Sequence, residues 1–301
     1  MNPQTFYCRL YERFHNYKGI PPYILSPFRR IVRRVANCRI PQYFKKNKLD
    51  FDKEKSDIIV SLTSFPARIE SVYLVIQCML RQTILPNKII LWLSKEQFPD
   101  ECLPNSLSEL IGDFFEVRFV SEDIRSHKKY YYVMKENPHS WVLLIDDDLY
   151  YPADMIEQMI EARNHYHDTI ICRYASVLEF DHNNIPPYSN WWVNETSDAV
   201  YNNRLFFGSG GGTLVKRDFF DKDLLDINIA MSLTPIGDDL WLNAMANLIG
   251  TNKFKIKSGL LLPILIKNDE RLCWDNVNNN MNDNQVGKLV DYYSDRDASL
   301  F

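Results

Sequence analysis

The sequence lacks any C-x-x-C pair. Its six cysteines, Cys8, Cys38, Cys78, Cys102, Cys172 and Cys273, are scattered, which excludes the dense disulfide framework of small secreted domains and points to a reducing compartment. Long apolar runs are also missing: the longest, at 141–145 and 260–266, have strand length, far short of the roughly 18–20 residues a membrane-spanning helix needs. The N-terminus has no apolar signal-peptide core, so the expected location is the cytoplasm, where the chain is made. There is no internal repeat, and a formal net charge of -4 gives no reason to expect a nucleic-acid partner.

Acids are almost absent from the first 48 residues. Eleven Lys and Arg stand there against Glu12 alone, so that stretch carries +10 and residues 49–301 carry -14. Arg29, Arg30, Arg33 and Arg34 cluster in a predicted helix among Tyr and Phe, with Pro21, Pro22 and Pro27 nearby. Basic charge interleaved with aromatics is what an anionic membrane surface attracts, at about 1 kcal/mol per cation. Residues 1–50 therefore read as a basic, aromatic N-terminal extension with a peripheral membrane contact on the inner face of the cell membrane.

With 46% hydrophobic residues in 301, the remainder has ample material for a core. From residue 57 the pattern alternates. Apolar runs at 57–62 (DIIVSL), 88–93 (KIILWL), 116–120 (EVRFV) and 141–145 (WVLLI) read as buried strands. Helical spacing of Ile69, Val72, Ile76, Met79 and Leu80 predicts a helix over 69–82, and others are expected over 128–137 and after Pro152. Further strands are expected at 169–174, 213–215 and 253–257, a helix from Asp238, and an irregular, Asn-rich tail at 276–284 with the polar content of a lid. Strands separated by helices predict an α/β fold with a mostly parallel, Rossmann-like sheet flanked by helices, whose ligand site lies at the strands' carboxyl ends.

Asp146, Asp147 and Asp148 directly follow the strand at 141–145. Three acids at the carboxyl end of a buried strand crowd negative charge where the ligand sits, a costly arrangement unless a cation neutralises it. Mn²⁺ or Mg²⁺, which take oxygen ligands and bridge to phosphates, suit such a D-x-D run. Asp238 and Asp239 open a helix with an apolar face of Leu240, Trp241, Ala244, Met245 and Leu248. Capping explains one acid but does not require two, and a pair whose pKa values are driven apart suits a general base. The turn at 208–212 (GSGGG) gives a backbone able to approach a ligand closely; a strand follows it, so it is not a phosphate-loop fingerprint. Trp191 and Trp192 offer aromatic faces for a sugar ring.

Taken in order, SLTSFPARI at 61–69, QTILPNKIILWL at 82–93, IDDDLYYP at 145–152, GSGGGTL at 208–214 and GDDLWL at 237–242 resemble bacterial GT-A fold glycosyltransferases of surface-polysaccharide (capsule, O-antigen, lipooligosaccharide) biosynthesis, over roughly residues 56–290. The resemblance implies a metal-dependent hexosyltransferase in which 51–150 holds the nucleotide and 151–301 the acceptor, a glycan or lipid-linked saccharide. It implies a nucleotide-sugar donor carrying uridine diphosphate, with nucleotide contacts from Thr63, Ser64, Phe65, Arg68, Lys128 (or Lys129), Asp146 and Asp147. Asp148, with Asp146, falls on the metal, Gly210, Gly211 and Gly212 under the donor sugar, and Asp239, ahead of Asp238, at the inverting base. Many relatives place a late His on the metal, whereas the last His here is His182. A nucleotidyltransferase that makes a nucleotide sugar is a rival, but it needs a Gly-rich basic loop after the first strand, and SLTSFPARI has no Gly. A non-catalytic carbohydrate-binding protein is the other rival; it would show no metal-dependent nucleotide binding.

Overall fold

The computed structural model describes residues 2–14, 22–179, 185–192, 198–259, 261–266, 281–296 and 300–301. Two N-terminal helices, α1 (Pro3–Arg13) and α2 (Pro22–Lys46), precede β1 (Ile59–Thr63), α3 (Ile69–Leu80) and β2 (Lys88–Ser94). After these come the short α4 (Asn105–Ser108), β3 (Phe115–Val120), α5 (Lys128–Glu136) and β4 (Val142–Ile145). The second half holds β5 (Leu149–Tyr150), α6 (Met155–His165), β6 (Thr169–Cys172), β7 (Ala175–Val177), β8 (Val200–Tyr201), β9 (Leu205–Phe207), β10 (Gly211–Val215) and α7 (Ile227–Leu233). It closes with α8 (Asp238–Leu248), β11 (Asn252–Lys255), β12 (Leu262–Pro263) and α9 (Met281–Tyr292).

The central sheet has eight strands in the order β3-β2-β1-β4-β10-β6-β11-β8. β1, β2, β3 and β4 pair in parallel, and β6 pairs in parallel with β11. β10 and β8 run against their neighbours. The apolar runs form these strands because both sheet faces are covered: β2 is buried from Ile89 to Ser94, and all four residues of β4 are buried. From β1 the chain winds outward to β2 and β3 on one side, then returns to β4 on the other. The crevice at that reversal, outside the carboxyl ends of β1 and β4, is where a sheet of this kind takes its ligand.

The N-terminal helices belong to the core. Cys8, Ala36, Ile40 and Phe44 pack in the same cluster as Val60, Leu91 and Ile145. Gln4, fully buried, donates from Nε2 to the carbonyls of Tyr151 (2.6 Å) and Cys78 (3.2 Å), while Thr5 Oγ1 accepts from Ala153 N–H at 2.9 Å. Arg9 pairs with Asp154, and Glu12 with Arg173 at 2.9 Å. The basic segment is thus docked behind the chain that leaves the aspartate run.

The expected irregular tail lies in part outside the described residues, at 276–280; residues 281–284 open α9 instead. That helix buries Asn282, Gln285, Val286 and Leu289, and Gln285 Oε1 accepts from Ile236 N–H at 3.2 Å. Its apolar spacing is hidden because polar residues occupy two of the inward positions.

Gln4→Leu keeps the volume but leaves the Tyr151 carbonyl without this donor. It should lower stability by about 1–3 kcal/mol, read as a lower urea midpoint with an unchanged slope.

Candidate active site

The carboxyl end of β1 delivers Ser64, Phe65 and Arg68, and that of β4 delivers Asp146, Asp147 and Asp148. The first turn of α5 brings Lys129, and the first turn of α8 brings Asp238 and Asp239. Ser61, buried in β1, accepts from the Trp92 indole at 2.9 Å and donates to the Lys129 carbonyl at 2.5 Å, which ties the start of α5 to the sheet. Lys129 Nζ then reaches Asp146 at 2.8 Å and Asp238 at 3.0 Å, joining the end of β4 to the start of α8. Burial works against its charge, but Asp146, Asp238 and Asp239 outweigh burial and hold its pKa well above the ordinary value.

The three consecutive aspartates separate by environment. Asp147 turns inward: Ser64 Oγ donates to it at 2.5 Å and Arg68 at 2.9 Å. Its burial raises its pKa, against the pull of Arg68 and Ser64. Asp148 forms an ion pair with the same Arg68 nitrogen at 3.0 Å and keeps 28% of its side chain exposed, and Asp146 keeps 44%. Asp147 therefore fastens the β1 loop to the β4 loop, while Asp146 and Asp148 face the cleft.

The glycine turn carries the other wall. A Cβ on Gly210 would lie 1.8 Å from the Asp146 carboxyl carbon, so the carboxylate occupies the space a side chain would fill. Gly210 C=O accepts from Asp146 N–H at 3.1 Å and from the Tyr151 hydroxyl at 2.5 Å. Gly212 has φ +96° at a register shift between β10 and β4, a bulge that favours glycine. It packs near Met155 and Arg173 and does not line the cleft, contrary to its expected place under a sugar.

Just before Gly210, Ser209 links the acid pair. Its N–H donates to Asp239 Oδ1 at 2.8 Å, and its hydroxyl lies 2.5 Å from that oxygen and 2.9 Å from Asp238 Oδ2. One hydroxyl proton cannot serve two carboxylates at once. Burial also works against ionising Asp238, yet Lys129 prevails and lowers its pKa. Burial and the charge of Asp238 together push Asp239 up to about 7. The pair is thus split into an ionised acid and one poised to exchange a proton near neutrality.

Two cavities meet at Asp146, Asp148 and Asp239. The larger, about 850 Å³, is bordered by Thr63, Phe65, Arg68, Asp123, Lys128 and Trp192. Thr63 Oγ1 is committed to the Trp92 carbonyl at 2.8 Å, and Lys128 pairs with Asp123. The smaller, about 290 Å³, is bordered by Leu149, Tyr174, Gly210, Gly211 and Leu261. Trp192 stacks on Tyr174 with centroids 4.7 Å apart, between the two spaces. Trp191 is not a ligand face: it is 2% exposed, packs against Phe206 and Phe301, and its indole donates to the Pro186 carbonyl at 3.0 Å. Ser209 and Tyr174 join the site alongside the residues expected from sequence, and of Lys128 and Lys129 it is Lys129 that reaches the acids.

Among the described residues, no group of three His, Cys, Asp or Glu side chains is placed to hold a metal ion by itself. A cage made of protein ligands alone does not fit. The carboxylates of Asp146 and Asp148 do fit a hard cation that keeps its waters and shares a diphosphate, since Mg²⁺-like ions are bound through one or two carboxylates plus substrate phosphates.

No family model matches the sequence, and no curated protein does. Among solved structures, the chain is similar to the mannosyltransferase PcManGT from Pyrobaculum calidifontis in complex with GDP-Man and Mn²⁺, with TM-score 0.45 and 10% identity over 86% of this chain and 72% of that one. It is also similar to S. aureus TarS 1-349 in complex with UDP, with TM-score 0.40 and 11% identity over 68% of this chain and 59% of that one.

The raised pKa of Asp239 predicts a pH signature in the metal-free protein. A carboxyl that titrates at about 7 in the folded chain and at the ordinary 3.8 in the unfolded one binds extra proton in the folded state between those values, so its contribution to stability is lost as pH rises through 7. Asn keeps the oxygen that Ser209 bonds and cannot ionise. Asp239→Asn should therefore melt higher than the parent above pH 7, with the gain vanishing in acid; a pH-independent difference would contradict the assigned shift.

Proposed function

We propose that this protein is a divalent-cation-dependent GT-A type glycosyltransferase that moves a sugar from a nucleotide diphosphate to an acceptor hydroxyl. The observation that carries this reading is the meeting of two cavities at Asp146, Asp148 and Asp239. The larger has room for a nucleotide and the smaller for a sugar ring, within the range of small-molecule sites. The donor's transferable bond then lies over the exposed carboxylates and beside the acid pair.

Phe65 offers a ring to the base, with the Arg68 guanidinium 5.3 Å from its centroid. Arg68 borders the larger cavity and lowers the cost of charge building on the departing nucleotide, while Lys129, buried between Asp146 and Asp238, holds those two acids in place. Asp146 and Asp148 would hold Mn²⁺ or Mg²⁺; when bound, the ion acts as a Lewis acid on the diphosphate oxygens. Tyr174 and Trp192 flank the space where a sugar would sit. Asp239 accepts the acceptor hydroxyl's proton as that oxygen attacks the anomeric carbon, and Ser209 and Asp238 set the Asp239 pKa and orientation. A single displacement of this kind inverts the anomeric configuration. A uridine diphosphate sugar is the proposed donor, a glycan or lipid-linked saccharide the acceptor, and surface-polysaccharide assembly the setting.

The test is a screen of nucleotide sugars for Mn²⁺-dependent thermal stabilisation and donor hydrolysis. Asp148→Asn should abolish metal-dependent nucleotide binding, and full binding in that variant would remove the central assignment. Asp239→Asn should spare donor binding while turnover falls by about 10²–10⁴-fold.

Gly210→Ala supplies an independent check on the geometry. The added methyl displaces the Asp146 carboxylate, so donor binding should weaken by an order of magnitude or more while the far-ultraviolet spectrum is retained; unchanged binding would show that Asp146 does not serve the donor.

A further inference from the structure

One face of α2 is exposed, although it is apolar. Ile24, Phe28, Ile31 and Val35 are 48, 52, 58 and 40% exposed. They recur at helical spacing along one stripe, beside the buried stripe of Leu25, Val32, Ala36, Ile40 and Phe44. The helix is thus apolar on two sides, and only one side meets the core. Phe14, just beyond α1, stacks on Phe28 at 5.7 Å and broadens the ridge.

Cations border the ridge on both flanks. By helical position, Arg34 and Lys45 fall along one side with Arg30 farther round, Arg39 falls on the other, and Lys46 continues the line of the ridge, all of them exposed. Residues 22–48 contain no Asp or Glu. An apolar stripe flanked by Arg and Lys is the pattern of a helix lying in a bilayer interface, its apolar side chains below the headgroups and its cations at phosphate level. Two copies pairing through the ridge would instead press these cations against each other, with no acid to offset them.

We propose that the exposed face of α2 lies on an anionic lipid bilayer and holds the catalytic cleft at its surface. The link from helix to cleft is short. Asn37 Nδ2 donates to the Pro263 carbonyl at 3.1 Å and Arg33 to the Ile264 carbonyl at 3.2 Å. β12 pairs with β5, and Ile264 N–H donates to the Asp148 carbonyl at 2.8 Å. Leu149 and Leu261, beside those pairings, border the smaller cavity. A lipid-linked acceptor therefore has its sugar presented at the mouth nearest the membrane-bound helix. This last step rests on the sugar-transfer reading; attachment of α2 to lipid does not.

The experiment is co-sedimentation of the full chain with vesicles of phosphatidylcholine mixed with phosphatidylglycerol, and with phosphatidylcholine alone. The parent should bind the anionic vesicles, release in high salt, and stay in solution with neutral ones. Arg30→Gln with Arg34→Gln should weaken partitioning by about 30-fold, from two lost cations. Phe28→Glu with Ile31→Glu should abolish it. Both variants alter exposed side chains outside the cleft, so each should keep its melting temperature and its Mn²⁺-dependent donor hydrolysis. Failure of the parent to bind anionic vesicles, or equal binding by the variants, overturns the surface without touching the sugar-transfer reading. A concentration-dependent dimer that Phe28→Glu with Ile31→Glu dissolves would assign the ridge to a second copy and also overturn it. Loss of donor hydrolysis in the parent, with vesicle binding intact, would overturn the transfer reading alone.

Discussion

Two cations hold five carboxylates in one cleft. Arg68 clamps Asp147 and Asp148, and Lys129 bridges Asp146 and Asp238, with Asp239 beside them. Like charges about 4 Å apart repel by roughly 4 kcal/mol at an effective dielectric near 20, so the arrangement stands only because its members differ in state. Asp239 retains a proton to near neutrality, Asp147 is buried under Arg68 and Ser64, and Asp146 and Asp148 reach water. The surplus of negative charge remaining on the open side is what a divalent cation carried by a diphosphate would complement.

That electrostatic constraint accounts for much of the surrounding construction. Lys129 must be buried to bridge its two acids, and Ser61 and Trp92 fix the turn that presents it. Asp146 must lie against a main chain with no side chain, which Gly210 provides. The glycine turn must then come back beside β4, and β10 does so by entering antiparallel with a bulge at Gly212. The reversed strand places Ser209 over the start of α8, where it orients Asp239.

Much of this was legible in the sequence because buried parallel strands leave continuous apolar runs. The runs at 57–62, 88–93, 116–120 and 141–145 correspond to β1, β2, β3 and β4 with ends displaced by a residue or two. Short strands were not legible. β5, β8 and β12 have two residues each and exist through pairing across the chain, as Leu262 with Tyr150. The acids at 146–148 and 238–239 could be singled out, but their division of labour could not, since it depends on which of them Arg68, Ser64 and Lys129 reach. Lys128 and Lys129 are adjacent, and only the helical turn decides that Lys128 meets Asp123 while Lys129 meets the acid cluster. Trp191 and Trp192 differ likewise: one closes the core against Phe206, and the next stacks on Tyr174 at the cleft.

The N-terminal helices show why a segment that reads as an appendage is part of the site. Between β4 and α6 the chain passes through the aspartates and a two-residue strand, so its backbone groups lack the partners that a long helix or strand would provide. α1 supplies several of them: Gln4 to Tyr151 C=O, Thr5 to Ala153 N–H, and Cys8 Sγ to Tyr150 C=O at 3.4 Å. Tyr151, held from behind in this way, turns its hydroxyl forward to accept from Asp146 N–H at 2.8 Å and donate to Gly210 C=O at 2.5 Å. A continuous run of hydrogen bonds therefore leads from the first helix to the carboxylate wall. The basic composition that makes this segment read as an extension belongs to its outer face, and the inner face, with Gln4, Thr5 and Cys8, sets the position of the acids.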